Sequence, residues 1–193
     1  MMPKDSTVTP PAILTIGHST RTIETFLELL RAHGVKRLVD VRTIPRSRYN
    51  PQFNSDTLAA TLGDCGIGYM NMKELGGLRH ARSDSPNTGW RNLSFRGYAD
   101  YMQTPEFAAG VAALIEMAQG EQTAIMCAEA VPWRCHRSLI ADALLVRGCA
   151  VAHIMGASEA QPHSLTSFAR VRGERIIYPS IDLFWEEAES KSS

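Results

Sequence analysis

The chain of 193 residues contains no apolar run long enough to form a bilayer-crossing helix, which excludes a helical membrane span. Lysine is scarce: 4 of the 20 basic residues are lysines and 16 are arginines, in a formal net charge of zero. Zero net charge argues against a general polyanion binder. The preference for arginine points to planar, bidentate recognition of phosphate or carboxylate groups. Cysteine is also sparse, at positions 65, 127, 135 and 149, with no paired C-x-x-C spacing. The stretch from Met1 to Pro11 is polar and lacks the apolar core of a signal peptide. A cytoplasmic location is therefore expected, with thiols in preference to disulfides. No repeat or linker divides the chain, so one domain is expected over 1–193, with an ordered core at about 13–155 and a tail that shows no pattern.

What is present is alternation of strand and helix signals. Ile13 to Gly17 reads as a buried strand, and Thr22 caps a helix with Ile23, Phe26, Leu27 and Leu30 on one face, closed by Gly34. Arg37 to Val41 is a second strand, Ser55 caps a helix carrying Leu58 and Leu62, and Ile67 to Met72 is a third strand. Lys73 to Gly97 has no periodicity and reads as a long functional or disordered loop, its Trp90, Phe95 and Tyr98 folding back onto the body, before a short helix near Tyr98 to Met102. Thr104-Pro105 opens a clearer helix with Phe107, Val111, Leu114 and Ile115 on one face. Thr123 to Cys127 is a fourth strand, Cys135 or His136 opens a helix to Arg147, and Ala150 to Ile154 is a fifth strand. The predicted fold class is α/β: a mainly parallel sheet of about five strands with helices on both faces, in a three-layer, rhodanese-like or Rossmann-like arrangement.

In such a sheet, ligands bind outside the carboxyl ends of the strands. Those exits hold Gly17-His18-Ser19, Asp40-Val41-Arg42, Lys73-Glu74 and Cys127-Ala128-Glu129. The turn from Cys127 to Arg137 carries Glu129, Arg134, Cys135 and His136 into a helix start, where free N–H groups favour an anion and lower a thiol pKa. The candidate catalytic residues are Cys127, Glu129, Cys135, His136 and His18. The candidate ligand contacts are Arg42, Arg46, Arg48, Arg134, Arg137, Asp40, Ser19 and Trp90. Each has a plainer alternative. Cys127 can finish a core strand and Cys135 can line a helix start. Asp40 can be a structural partner of Arg42, Arg46 and Arg48 can form a solvated basic loop, and His18 can orient its loop. A metal could use Cys127, Glu129, Cys135, His136 and His18, but the ligand spacing is poor and no metal or other cofactor is expected. Cysteine-dependent phosphatases and rhodanese-type sulfurtransferases place a cysteine at such a turn. The phosphatase spacing of five residues between Cys and Arg is missed, because six separate Cys127 from Arg134.

Ile16-Gly17-His18-Ser19, Asp40-Val41-Arg42 with Pro45, Leu75-Gly76-Gly77, Asn87 with Trp90, Phe95-Arg96-Gly97-Tyr98, and Cys127-Ala128-Glu129 with Cys135-His136-Arg137 together resemble the domain of unknown function 488 family. The resemblance runs from about Ile13 to about Ile154. It departs at Thr25, where family members often carry Glu to complete a capping box with Thr22. Some members are loosely labelled as DNA repair proteins, so the resemblance implies a site without naming a reaction. Three expectations follow. The first is a cysteine-dependent transferase or hydrolase acting on a phosphate- or sulfur-bearing anion. The second is a nucleic-acid-binding or processing protein, suggested by Arg79, Arg82, Trp90, Arg91, Phe95, Arg96 and Tyr98. The third is a metal- or ligand-binding module without turnover. The expected partner is an anionic small molecule or nucleic acid, with no membrane.

Overall fold

A computed structural model describes residues 11–180. The predicted alternation is present: β1 (Ala12–Gly17), α1 (Ile23–Ala32), β2 (Arg37–Asp40), α2 (Ser55–Asp64), β3 (Gly68–Asn71), α3 (Leu93–Tyr101), α4 (Pro105–Ala118), β4 (Thr123–Cys127), α5 (Arg137–Val146) and β5 (Ala150–His153). Local chemistry sets several boundaries. Thr22 Oγ1 accepts the Thr25 N–H at 3.3 Å, and Thr104 Oγ1 accepts the Phe107 N–H at 3.2 Å ahead of Pro105. Gly34, Gly66 and Gly148 take positive φ just past the ends of α1, α2 and α5.

The sheet order is β3-β2-β4-β1-β5, all parallel, with a short antiparallel β6 (Gln161–Pro162) at the edge beyond β5. A separate hairpin joins β7 (Arg170–Arg172) to β8 (Arg175–Ile177). The fold is thus three-layer α/β. One face of the sheet packs α1 and α2 through Phe26, Leu30, Phe53, Leu58 and Leu62. The other packs α4 and α5 through Phe107, Val111, Leu114, Leu139 and Ile140. Among the described residues, no helix is long and apolar enough to cross a membrane. The acidic end of the chain from Asp182 lies outside them.

Two expectations need correction. Ser55 is the first residue of α2; Asn54 precedes it as cap, and its side chain instead accepts the Ser47 N–H at 2.8 Å. The stretch from Lys73 to Gly97 is not structureless. A 3₁₀ turn covers Lys73–Leu75, and α3 starts at Leu93 because Asn92 Oδ1 accepts the Ser94 N–H at 2.8 Å. Between them, the buried Asp100 carboxylate gathers Asn87 Nδ2 at 2.8 Å and the Arg82 N–H at 2.9 Å. Asn87 Oδ1 in turn accepts the Tyr178 N–H at 2.9 Å, which fastens the loop to the segment after β8. Beyond Met155, Asp142 does similar work: it accepts from Thr166 N at 3.0 Å and Tyr178 OH at 2.8 Å and pairs with His163 at 2.8 Å.

Candidate functional site

β1 and β4 are neighbours, but the chain leaves them toward opposite faces, to α1 and to α5. This is a topological switch point, where diverging connections open a crevice at the carboxyl ends of the strands. β2 lies on the far side of β4, so three of the four predicted exits meet there. A cavity of about 680 Å³ fills the crevice, and His18, Arg42, Cys127, Glu129, Cys135 and His136 line it. The third exit stays outside: neither Lys73 nor Glu74 lines the cavity.

At the exit of β4, Cys127 is 2% exposed at the cavity wall. Arg137 stands behind it. This guanidinium is 1% exposed and does not reach the cavity, which corrects its expected role as a ligand contact. Its Nη1 donates to Glu129 O at 2.8 Å and to Cys127 Sγ at 3.2 Å, and Nη2 donates to Ala130 O at 2.8 Å. Two carbonyls of the turn are thereby drawn inward, while the Glu129 and Ala130 N–H groups have no acceptor among the described residues. No carboxylate forms an ion pair with Arg137 among those residues, and its Nε has no partner. Gly17 makes this packing feasible, since a Cβ there would collide with the Glu129 carbonyl and the Arg137 guanidinium.

Cys135 Sγ lies 2.6 Å from Cys127 Sγ, and both thiols are free. Burial works against ionisation of Cys127, but the hydrogen bond from Cys135, the Arg137 charge and the Glu129 backbone together hold its pKa below the ordinary thiol value. The hydrogen bond to Cys127 and then burial push Cys135 far upward. That reverses the expectation for Cys135: the backbone N–H of Arg137, the first residue of α5, favours its thiolate but is outweighed by Cys127 and by burial. Of the two thiols, Cys127 is therefore the one that ionises first, with the proton kept on Cys135.

At the exit of β2, Asp40 is fully buried and is the partner of Arg42, not a ligand contact. Arg42 Nε lies 2.8 Å from Asp40 Oδ1, and Tyr69 OH adds a 2.8 Å hydrogen bond to Oδ2. Arg42 Nη2 also donates to Phe53 O at 2.8 Å, and Nη1 donates to His18 Nε2 at 3.2 Å. His18 therefore carries its proton on Nδ1, which donates to Ser19 O at 2.9 Å, and its ring stacks on Phe53 at 4.4 Å. Burial, with the nearby Arg42, lowers its pKa to about 4, so it is neutral at pH 7. Ser19 adopts φ 49°, a strained value for a serine, held by its N–H to Ala128 O at 2.8 Å.

His136 links the exits of β2 and β4. Its Nε2 donates to Val41 O at 2.9 Å, leaving Nδ1 as an acceptor 3.5 Å from Cys135 Sγ. Burial lowers its pKa to about 4. Gly77 lies flat against this ring, because a Cβ there would fall 2.5 Å from His136 Nδ1.

The remaining predicted contacts divide. Arg46, Arg134 and Ser19 line the cavity and Glu129 adds its carboxylate to the wall, whereas Arg48 points elsewhere on the exposed loop. Trp90 does not reach the main cavity. It packs against Phe95, Phe168 and Tyr178 and borders an adjoining hollow of about 340 Å³ with Trp133 and Arg134. The arginine–aromatic mixture is divided: Arg79 stacks on Tyr101, Arg96 bonds Trp90 O and Tyr98 is fully buried, whereas Arg82 and Arg91 are exposed. Sequence reasoning missed the opposite wall, which includes Thr43, Ile44, Leu78, Asn92 and Ser94. The Gly76-Gly77 pair was the one available signal for it, since adjacent glycines mark close backbone approach. Among the described residues, no group of three or more His, Cys, Asp or Glu side chains is arranged to hold a metal ion.

The family model for domain of unknown function DUF488 matches residues 22–144. No curated protein and no solved structure matches the chain.

Proposed function

The chain belongs to the domain of unknown function DUF488 family, whose matched span includes the exits of β2 and β4, and we propose that it is an enzyme whose Cys127 thiolate attacks a phosphate- or sulfur-bearing anion held in the switch-point cavity. The observation that carries this reading is the buried Arg137. A guanidinium removed from water needs a counter-charge. Apart from two backbone carbonyls, its one partner among the described residues is Cys127 Sγ. A thiolate there neutralises the cation, and the same charge makes the sulfur a nucleophile.

The cavity wall suits an anion. Arg46 and Arg134 are exposed on it and free of carboxylate partners among the described residues. The unaccepted N–H group of Glu129, which lines the cavity, supports the same conclusion. His18 and Arg42 are positioning residues in this scheme, because their polar atoms hold each other and Asp40. Glu129 is the exposed carboxylate beside the nucleophile and is assigned proton transfer to or from the leaving group.

The test is alkylation of the full chain by iodoacetamide across pH, with each modified cysteine located by peptide mass. Cys127 is expected to react with a midpoint clearly below the ordinary thiol value of about 8.5. A midpoint at or above that value removes the thiolate and the proposal with it.

A further inference from the structure

We infer that Cys127 and Cys135 act as a dithiol pair, with Cys135 as the resolving thiol, and that the substrate anion carries a sulfur–sulfur bond. The inference rests on the proposed Cys127 thiolate and narrows its substrate from phosphate or sulfur to sulfur. The two Sγ atoms, 2.6 Å apart, are closer than ordinary non-bonded contact, and both residues line the cavity. In phosphoryl transfer a thiol in contact with the nucleophile can only support its ionisation, since water or an alcohol must displace the phosphorus from sulfur. It has a further use when the nucleophile has just acquired a sulfur substituent, because it is then placed to attack that same Sγ.

The surroundings fit this division of labour. Of the two sulfurs, only Cys127 Sγ accepts a hydrogen bond from the Arg137 guanidinium, which marks it as the attacking sulfur. His136 Nδ1, an acceptor 3.5 Å from Cys135 Sγ, orients the Cys135 thiol beside its partner. A metal does not explain the pair, since no third ligand completes a site among the described residues. The exposed Ile44 and Leu78 at the cavity wall would accommodate an apolar portion of a mainly anionic disulfide.

The chemistry balances in two exchanges. The Cys127 thiolate attacks one sulfur of R–S–S–R′, the substrate S–S bond breaks, a Cys127–S–S–R bond forms, and R′–S⁻ leaves. Cys135 then gives its proton to the departing R′–S⁻ and attacks Cys127 Sγ. The Cys127–Cys135 disulfide forms, and R–S⁻ leaves as the thiolate. The substrate gains two electrons and becomes a thiol and a thiolate, and the enzyme dithiol becomes a disulfide. An external thiol reductant returns it to the dithiol for the next cycle.

The probe is dithiobis(nitrobenzoic acid), an aromatic disulfide bearing carboxylates, given to the reduced full chain in an amount equal to the protein. The expected result is release of both nitrothiobenzoate halves with no adduct retained, and a peptide mass linking Cys127 to Cys135. Cys135→Ser should release one half and keep the other on Cys127. A wild-type protein that retains the adduct on Cys127, or loses both halves with no Cys127–Cys135 link, overturns the resolving role but leaves the nucleophile standing. If Cys127 reacts no faster than the half-buried Cys65, the thiolate reading itself falls. The wild-type measurement decides the matter even if Cys135→Ser fails to fold.

Discussion

Arg42 and Arg137 are both buried at strand exits around one cavity, yet their charges are met differently. Arg42 has a carboxylate, Asp40, two residues away, with Tyr69 supporting it. Arg137 has two carbonyls and a sulfur. A carboxylate is charged at neutral pH without help, so the exit of β2 is complete in itself and holds its loop. A thiol must be induced to ionise, so on the proposed reading the exit of β4 stores its charge on a reactive atom. On that reading two buried cations of the same type mark a brace and a reaction centre, and the difference lies in the partner.

The comparison is sharpest when each arginine is removed in turn. Arg42→Met leaves the Asp40 carboxylate buried without its cation and should lower the unfolding free energy by about 3–5 kcal/mol, measured by denaturant titration. The folded fraction should still alkylate at Cys127. Arg137→Met should cost less, about 1–3 kcal/mol for the abandoned carbonyls, because Cys127 can take up a proton. Its signature is a roughly 10-fold or greater loss of Cys127 alkylation rate at neutral pH. If both variants slow alkylation equally, the distinction between brace and centre collapses.

Acid should probe both exits together. His18 and His136, and His153 away from the exits, have pKa values lowered from 6.5 to about 4 by burial, so below 6.5 the unfolded chain binds protons that the folded one refuses. Thermal stability should be full above pH 6.5 and should decline as pH falls toward 4, measured by melting temperature against pH. A flat profile would mean that none of these rings is held neutral. The smallest effect is expected from Tyr69→Phe, which removes one hydrogen bond from Asp40 and should cost about 1 kcal/mol, with Cys127 reactivity unchanged.

Much of this was legible in the sequence because its causes are local. Thr22 and Thr104 cap helices within three residues of themselves, and the apolar spacing in α1 and α4 faces the sheet as the pattern indicates. The strand exits followed from the order of elements and one rule of parallel sheets. What stayed hidden depends on distant partners. Asn87 fixes its loop through a residue 91 positions away, and Asp142 holds Tyr178 across 36. Arg137 was misread because a residue at a helix start can face the ligand or the core, and only the inward turn of the Glu129 and Ala130 carbonyls decides between them. The eight-residue interval between Cys127 and Cys135 allowed proximity, but the contact of their sulfurs required the intervening turn to double back.

The place of β1 has a practical consequence. It lies between β4 and β5, yet the family match begins after it, at residue 22. An excised fragment covering 22–144 alone would lose β1 and β5 together and strand β4, buried along its whole length in the native fold, as a naked rim. Such an apolar rim recruits foreign strands, so the fragment should clump rather than fold. His18 would be missing from it as well. The smallest piece able to hold this cavity is larger than the span by which its kin are recognised.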